Sequence, residues 1–465
     1  MHVAIFCPFV QWPTHFGTDL ELIQRHLDCG DQVTVIVCDG EMPTCEVNID
    51  HSPDVCAGCI RSRHAGLALL TPRATVVSLH QFIPADAMQF EIPERFTSHE
   101  QLKRYRIDGF DLGYAALSSL IFLLRDGGCD LAQHGARVNG LLRAAHRVYR
   151  ATREFLQRHA VDRFYVFNGR FATTRGVMRA CADAGVECLM HERGCDLRHF
   201  ELYPNVFPHD RAFIDRTIRR LWEEAGPASD RATIGAQWFR NKVQGIEPWE
   251  VSFVAHQEPE QLPSPWRNGT RKVAIFTSSE DEFAAIGPEW QNPLYEHELA
   301  GVEAIVDSLR HVDHETHLYV RIHPNLRGLD NRQTQGLRAL SAPFLTVIPA
   351  DSLVSSYSLL RNADTVLTFG STIGIEAVYW GVPSILAGVS YYRGLDATYT
   401  PTTHEELMRQ LRAPLAPLPV EPALMYGFYA STYGSPFRYF RAASYDVGSF
   451  KGHDWWRQAD SPDTR

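Results

Sequence analysis

Short apolar runs alternate with amphipathic stretches along most of the chain. "HVAIFCPF", "QVTVIVC" and "ATVVSL" read as buried strands, and "TDLELIQRHLDCG" between the first two has helical spacing closed by Gly30. A βαβ opening of this kind predicts a parallel sheet. Residues 86–160 read as mostly helical, and "YAALSSLIFLL" at 114–124 is too short to cross a bilayer, so it is expected as a buried helix. "RFYVFNGR" and "VECLMHERG" then each give a strand that ends in a polar turn, with a helix over "TRGVMRACADAG" between them.

A Pro- and Gly-rich stretch at 258–270, "EPEQLPSPWRNGT", reads as a linker. The alternation restarts after it with "KVAIFTSS", a helix near 296–311, "THLYVRIHP", a helix near 331–340, "FLTVIPA", a helix around "SLVSSYSLLRNA", "TVLTFGS" and "VPSILAG". The expected fold is α/β: two doubly wound, Rossmann-like domains facing a cleft. Residues 1–260 form the first, with a Cys-rich loop at 38–64 and a helical insertion at 86–160. Residues 271–420 form the second, and 421–465 are expected as helices that pack back on the N-terminal domain.

Composition narrows the function classes. With 465 residues, 45% of them hydrophobic, the chain can bury two cores. Its net charge of −10 supplies no basic field for nucleic acid. The opening "MHVAIFCPF" has no basic or long apolar leader, which sets the expectation of a cytoplasmic protein with contact at the inner face of the membrane or with an assembly complex.

Four strand-end motifs carry candidate chemistry. In "RIHPN", Arg321 and His323 alternate onto one strand face and both suit a phosphate. In "LTFGSTIGIEAVYWGVPS", Gly370, Ser371 and Thr372 form a turn into a helix that offers N–H groups and hydroxyls to an anion, with Glu376 placed for a ribose diol. "TSSEDEF" adds Ser278 and Ser279 from a neighbouring strand end. In the N-terminal half, "FNGR" and "HERG" offer Glu192 or His191 as a general base toward an acceptor hydroxyl, and Asn168, Arg170 and Arg193 for anionic groups. For each motif the competing reading is structural: a solvated strand end, an N-capped packing helix or an internal ion pair.

"RIHPN" followed by "GSTIGIEAVYWGVPSI", downstream of "FNGR" and "HERG", resembles bacterial capsule and surface-polysaccharide glycosyltransferases of the GT-B fold, the kind related to capsule Kdo transferases and teichoic-acid glycerophosphotransferases. The likeness is strongest over 272–390. It implies a metal-independent transferase that moves a sugar from a CMP-, CDP- or UDP-linked donor to a hydroxyl of a glycan or lipid-linked acceptor, without a catalytic cofactor. It also implies that His323, Ser371 and Thr372 hold the nucleotide phosphate and that Glu376 binds the ribose. A sugar-nucleotide 2-epimerase of the same fold and a non-catalytic scaffold of polysaccharide assembly are the rival readings. The acidic base motif of sialyltransferases is missing, so the resemblance does not itself assign the base, and Glu192 and His191 remain the candidates read from the residues.

"CDGEMPTCEVNIDHSPDVCAGC" stands outside that pattern. Cys38, Cys45, Cys56 and Cys59, with His51 and His64 nearby, have the count for a tetrahedral structural zinc site or are free thiols.

Overall fold

The computed structural model describes residues 1–92, 95–226, 229–246, 252–310 and 315–455. In chain order its strands are β1 (His2–Cys7), β2 (Gln32–Val37), β3 (Thr75–Ser78), β4 (Arg163–Phe167), β5 (Glu187–Arg193), β6 (His199–Pro204), β7 (Arg271–Phe276), β8 (Thr316–Arg321), β9 (Leu345–Ile348), β10 (Thr365–Thr368), β11 (Ser384–Leu386), β12 (Ser435–Pro436), β13 (Phe440–Ser444) and β14 (Val447–Phe450). The chain divides into two compact units, one of residues 1–124, 130–210 and 433–465, the other of 125–129 and 211–432. Both are Rossmann-like.

In the first unit the strand order is β12-β6-β5-β4-β1-β2-β3. Strands β1 to β5 are mutually parallel, while β6 runs antiparallel to β5 and β12 to β6. Val3, Ile5, Val33 and Val35 are buried, as continuous apolar runs in a sheet covered on both faces require. They pack with Phe16, Leu20 and Ile23 of the helix Pro13–Asp28. In the second unit five parallel strands take the order β11-β10-β7-β8-β9, with Val302, Ile305 and Leu309 of the helix Glu298–Arg310 packed in the core beside Val273, Leu318 and Leu367.

Both sheets share one topology. The first strand (β1 or β7) is followed by neighbours on one side, and then the chain crosses back to the other side (β4 or β10). Loops leaving the two central strands therefore diverge at their C-terminal ends, which is where open α/β sheets bind ligands.

Three boundaries differ from the sequence reading. The helices Arg211–Glu224 and Ser229–Val243 group with the second unit rather than the first. Within the helical insertion, residues 125–129 also group with the second unit, where Arg125 pairs with Asp281 at 3.0 Å. The third difference is the C-terminal segment, which is one helix, Glu421–Thr432, followed by strand β12 and the hairpin β13–β14; residues 456–465 lie outside the described residues, as does residue 311 of the expected helix near 296–311.

A single buried carboxylate decides the hairpin. Glu21, on the helix Pro13–Asp28, accepts hydrogen bonds from the backbone N–H groups of Arg438 (2.7 Å), Tyr439 (2.7 Å) and Phe440 (2.9 Å). Glu21→Leu removes the acceptor for three backbone donors, that of Phe440 buried and the other two half-buried, and the expected loss is about 3 kcal/mol of stability. A urea unfolding midpoint compared with the parent checks it.

Candidate functional site

The second unit holds a cavity at its switch point, the place where open α/β sheets bind ligands. Thr277 lines it from the end of β7, Arg321 and His323 from the end of β8, Ser356 and Tyr357 from the helix Ser356–Asn362, and Ser371, Thr372 and Glu376 from the turn and helix after β10. Lys242 and Phe253 complete the wall.

His323 is fixed through its ring. Pro324 opens a short turn, and Nδ1 of His323 accepts the N–H of Asn325 at 3.1 Å, which puts the ring proton on Nε2. Burial, reinforced by the Arg321 charge, takes its pKa down to about 4. At neutral pH the side chain is thus an uncharged imidazole with an N–H to offer, set edge-on to Phe253 at 5.1 Å.

Arg321 is 1% exposed and spends its guanidinium on the backbone, donating from Nη1 to Pro349 O (2.6 Å) and from Nη2 to Ser352 O (3.2 Å). Among the described residues its Nε has no partner. Burial brings its pKa down to about 10, so it stays cationic at neutral pH. Arg321, expected to donate to a phosphate, thus lines the cavity as a buried charge with its Nη groups spent on the backbone.

Glu376 accepts from Tyr357 Oη at 2.5 Å and from Thr372 Oγ1 at 3.0 Å. Thr372 thereby gives its hydroxyl proton to Glu376 rather than to a ligand. Ser371 Oγ accepts the N–H of Ile373 at 3.4 Å and keeps its own proton available.

Three expected contributors do not line the cavity. The Ser278 N–H donates to both carboxylate oxygens of Glu298, each at 3.0 Å, and Ser279 Oγ donates to Asp281 at 2.7 Å. At Gly370 a Cβ would stand 3.0 Å from Val389 O, so that glycine serves close backbone approach. Sequence reasoning in turn missed Lys242, Phe253, Thr277, Ser356 and Tyr357. The "SSYSLL" stretch carries the same strand-turn-helix signal as "GSTIGIEA", because Ser355 caps that helix by accepting the Ser358 N–H at 3.1 Å. Lys242 lies in a helix expected with the other unit and has no local signal.

In the first unit a polar cluster sits at the ends of β4 and β5. Asn168 and Gly169 turn the chain through the left-handed region (φ 55° and 82°), and Asn168 Nδ2 donates to Glu192 Oε2 at 2.7 Å. Glu192 Oε1 accepts the Arg193 N–H at 3.0 Å and lies 3.8 Å from His15 Nδ1. Burial pushes the Glu192 carboxyl up, but His15, Arg193 and Asn168 outweigh it and hold the group at about 2. Both oxygens of Glu192 thus accept N–H groups, and the group is a carboxylate at neutral pH. Burial takes His15 down to about 3 and, with Arg170 nearby, His209 to about 3. Arg170 is stacked over Phe171, and Arg193 over Tyr445, which lies between β13 and β14.

His191 is corrected outright. Adjacent residues of a strand face opposite ways, so His191 points away from Glu192; it is fully buried, with Nε2 at 2.8 Å from Asp19 Oδ1. Its role is structural.

Among the described residues, Cys38, Cys45, Cys56 and Cys59 do not bring three or more sulfur atoms within 4.8 Å of one another. Cys38 lies just past β2, Cys45 in the following loop, and Cys56 and Cys59 on the helix Pro53–Leu67. Burial raises the thiols of Cys38, to about 12, and of Cys45 and Cys59. Among the described residues, the group whose metal-ligating atoms all fall within 4.8 Å of one another is Cys195, Asp196 and His199 instead. There Arg198 already pairs with Asp196 at 2.9 Å.

Comparison with known proteins bears on the second unit. Residues 293–418 match the family model of capsule polysaccharide biosynthesis proteins. That segment of the chain carries the family's pattern. It spans Arg321, His323, Ser371, Thr372 and Glu376, and it is less than half of the chain. No curated protein matches. Among solved structures the chain is similar to KpsC of Thermosulfurimonas dismutans as a β-Kdo 2,4 transferase, at 14% identity over 58% of this chain and 79% of that one, TM-score 0.37. The β-Kdo 2,7 transferase of the same organism's KpsC gives 15%, 60%, 79% and 0.36. The UDP-GlcNAc 2-epimerase of Neisseria meningitidis gives 10%, 92%, 97% and 0.29.

Proposed function

We propose that the protein transfers a sugar from a nucleotide-activated donor to a hydroxyl of a surface glycan, with the nucleotide held in the second unit. The observation that carries this reading is the cavity at the β7–β10 switch point, where His323, Ser371 and Glu376, all within residues 293–418 of the capsule-family match, meet Lys242.

In this reading the phosphate sits against Nε2–H of His323 and the Ser371 hydroxyl, with the charges of Lys242 and Arg321 behind it. Glu376, held by Tyr357 and Thr372, has lone pairs left for a ribose diol. As the bond to the sugar breaks, negative charge grows on the leaving phosphate, and fixed donors aimed at that position lower the barrier. No step needs a metal ion. Expected partners are a CMP-, CDP- or UDP-linked sugar and a glycan or lipid-linked acceptor.

A thermal-shift panel of CMP, CDP, UDP, GDP and ADP tests the reading. One nucleotide is expected to raise Tm, by the equivalent of about 2.7 kcal/mol at a hundredfold excess over Kd. A flat response to all five, or an undiminished rise in Glu376→Ala, overturns it.

A further inference from the structure

Glu376 is held at both oxygens by donors from two different elements. Tyr357 lies in the first turn of the helix Ser356–Asn362 and donates from Oη to Oε2 at 2.5 Å. Thr372 directly precedes the helix Ile373–Tyr379 and donates from Oγ1 to Oε1 at 3.0 Å, while Glu376 itself sits in the first turn of that helix. All three residues line the cavity, and Glu376 and Tyr357 are buried. The Tyr357 ring belongs to one apolar cluster with Phe276, Ile373 and Ala377, so packing fixes the phenol and the phenol fixes the carboxylate. The last torsion of a glutamate is soft, and two donors on opposite oxygens remove that freedom.

A carboxylate offers two acceptor sites on each oxygen. One site on each is spent on Tyr357 or Thr372, which leaves one on each side by side in the same plane. Two cis hydroxyls on neighbouring ring carbons match that pair. A single hydroxyl does not, because it leaves a charged acceptor in a buried place without its partner.

We infer that Tyr357 and Thr372 are positioning residues that make Glu376 a reader of an intact 2′,3′-diol, so that the second unit selects ribonucleotides and rejects their 2′-deoxy and 3′-deoxy counterparts. The inference rests on the proposed transferase reading and deepens it. Selection here is a difference between two ligands, and the penalty on the wrong one comes from the acceptor left unpaired. Without the Tyr357 hydroxyl, Oε2 loses its donor and the carboxylate turns to recover one. Its remaining acceptor sites then leave the plane of the diol, and the distinction between the two sugars fades.

Isothermal titration calorimetry on the full chain reads this directly. The ligands are CMP, CDP, UDP, GDP and ADP, followed by the 2′-deoxy and 3′-deoxy counterparts of whichever of them binds. In the parent the ribonucleotide is expected to bind about a hundredfold more tightly than either deoxy form, the scale of a hydrogen bond to a charged group. Tyr357→Phe keeps the ring in its cluster and Thr372→Val keeps the volume of the side chain; each is expected to bring that ratio below about tenfold. Thr372→Ser keeps the hydroxyl and is expected to return the parent's ratio. A role confined to packing weakens ribo and deoxy ligands alike and leaves the ratio where it was. Ratios in Tyr357→Phe and Thr372→Val within about twofold of the parent's overturn the inference, as does a parent that binds ribo and deoxy forms equally. A parent that binds none of the ribonucleotides overturns the transferase reading instead, so the two failures read differently.

Discussion

His323→Ala is expected to leave a folded protein whose turnover is lower by about a hundredfold or more, the scale on which one fixed hydrogen-bond donor to developing charge acts. The ring does two jobs, and they separate by variant. Nδ1 caps the short turn Pro324–Leu326 by accepting the Asn325 N–H, and losing a cap costs about 1 kcal/mol. In the proposed function, Nε2–H faces the leaving phosphate. His323→Asn restores a capping acceptor on a shorter side chain, so it is expected to recover stability without recovering turnover. Steady-state rates at saturating sugar nucleotide, alongside thermal melts of both variants, make the comparison. Because burial and Arg321 hold the ring neutral down to about pH 4, His323 contributes no inflection to the rate profile between about pH 5 and 8. Parent-like turnover in a folded His323→Ala protein would contradict the assigned role.

How much of this was legible in the sequence follows from what fixes each part. The core strands were readable because a parallel sheet buried on both faces demands apolar runs such as "VAIF" and "VTVIV", and nothing distant changes that local demand. His323, Ser371 and Glu376 were readable for a related reason: a strand end followed by Pro or by small polar residues marks where a sheet opens. The C-terminal hairpin was not, since "FRYFRAASYDVGSF" suits either a helix or a strand until Glu21 supplies a carboxylate to its backbone. The cysteine spacing left zinc and free thiols open, because ligand count is written locally but convergence depends on the path of β2 and the helix Pro53–Leu67.

The second large effect concerns the support beneath the first unit's polar cluster. Asp111, 3% exposed, accepts from Arg175 Nε at 2.9 Å and from Arg179 at 2.8 and 2.9 Å. Arg175 is itself 1% exposed and opens the helix that follows β4, the strand carrying Asn168 and Arg170. Asp111→Ala removes the carboxylate that faces the buried Arg175 guanidinium, and the expected loss is about 3–5 kcal/mol, enough to threaten folding at growth temperature. Asp111→Asn keeps the shape and part of the hydrogen bonding, so it should fall short of the full loss. The same pair sets an acid sensitivity of definite sign. Burial alone would raise the Asp111 carboxyl, but Arg179 and Arg175 outweigh it and hold the group well below the usual range. A carboxyl with a depressed folded-state pKa stabilises the protein fully above its unfolded value of about 3.9 and loses that contribution as pH falls further. Urea midpoints taken from about pH 6 down to pH 3 should therefore drop more steeply in the parent than in Asp111→Asn, and parallel curves for the two proteins would show that the pair does not carry this share of the stability.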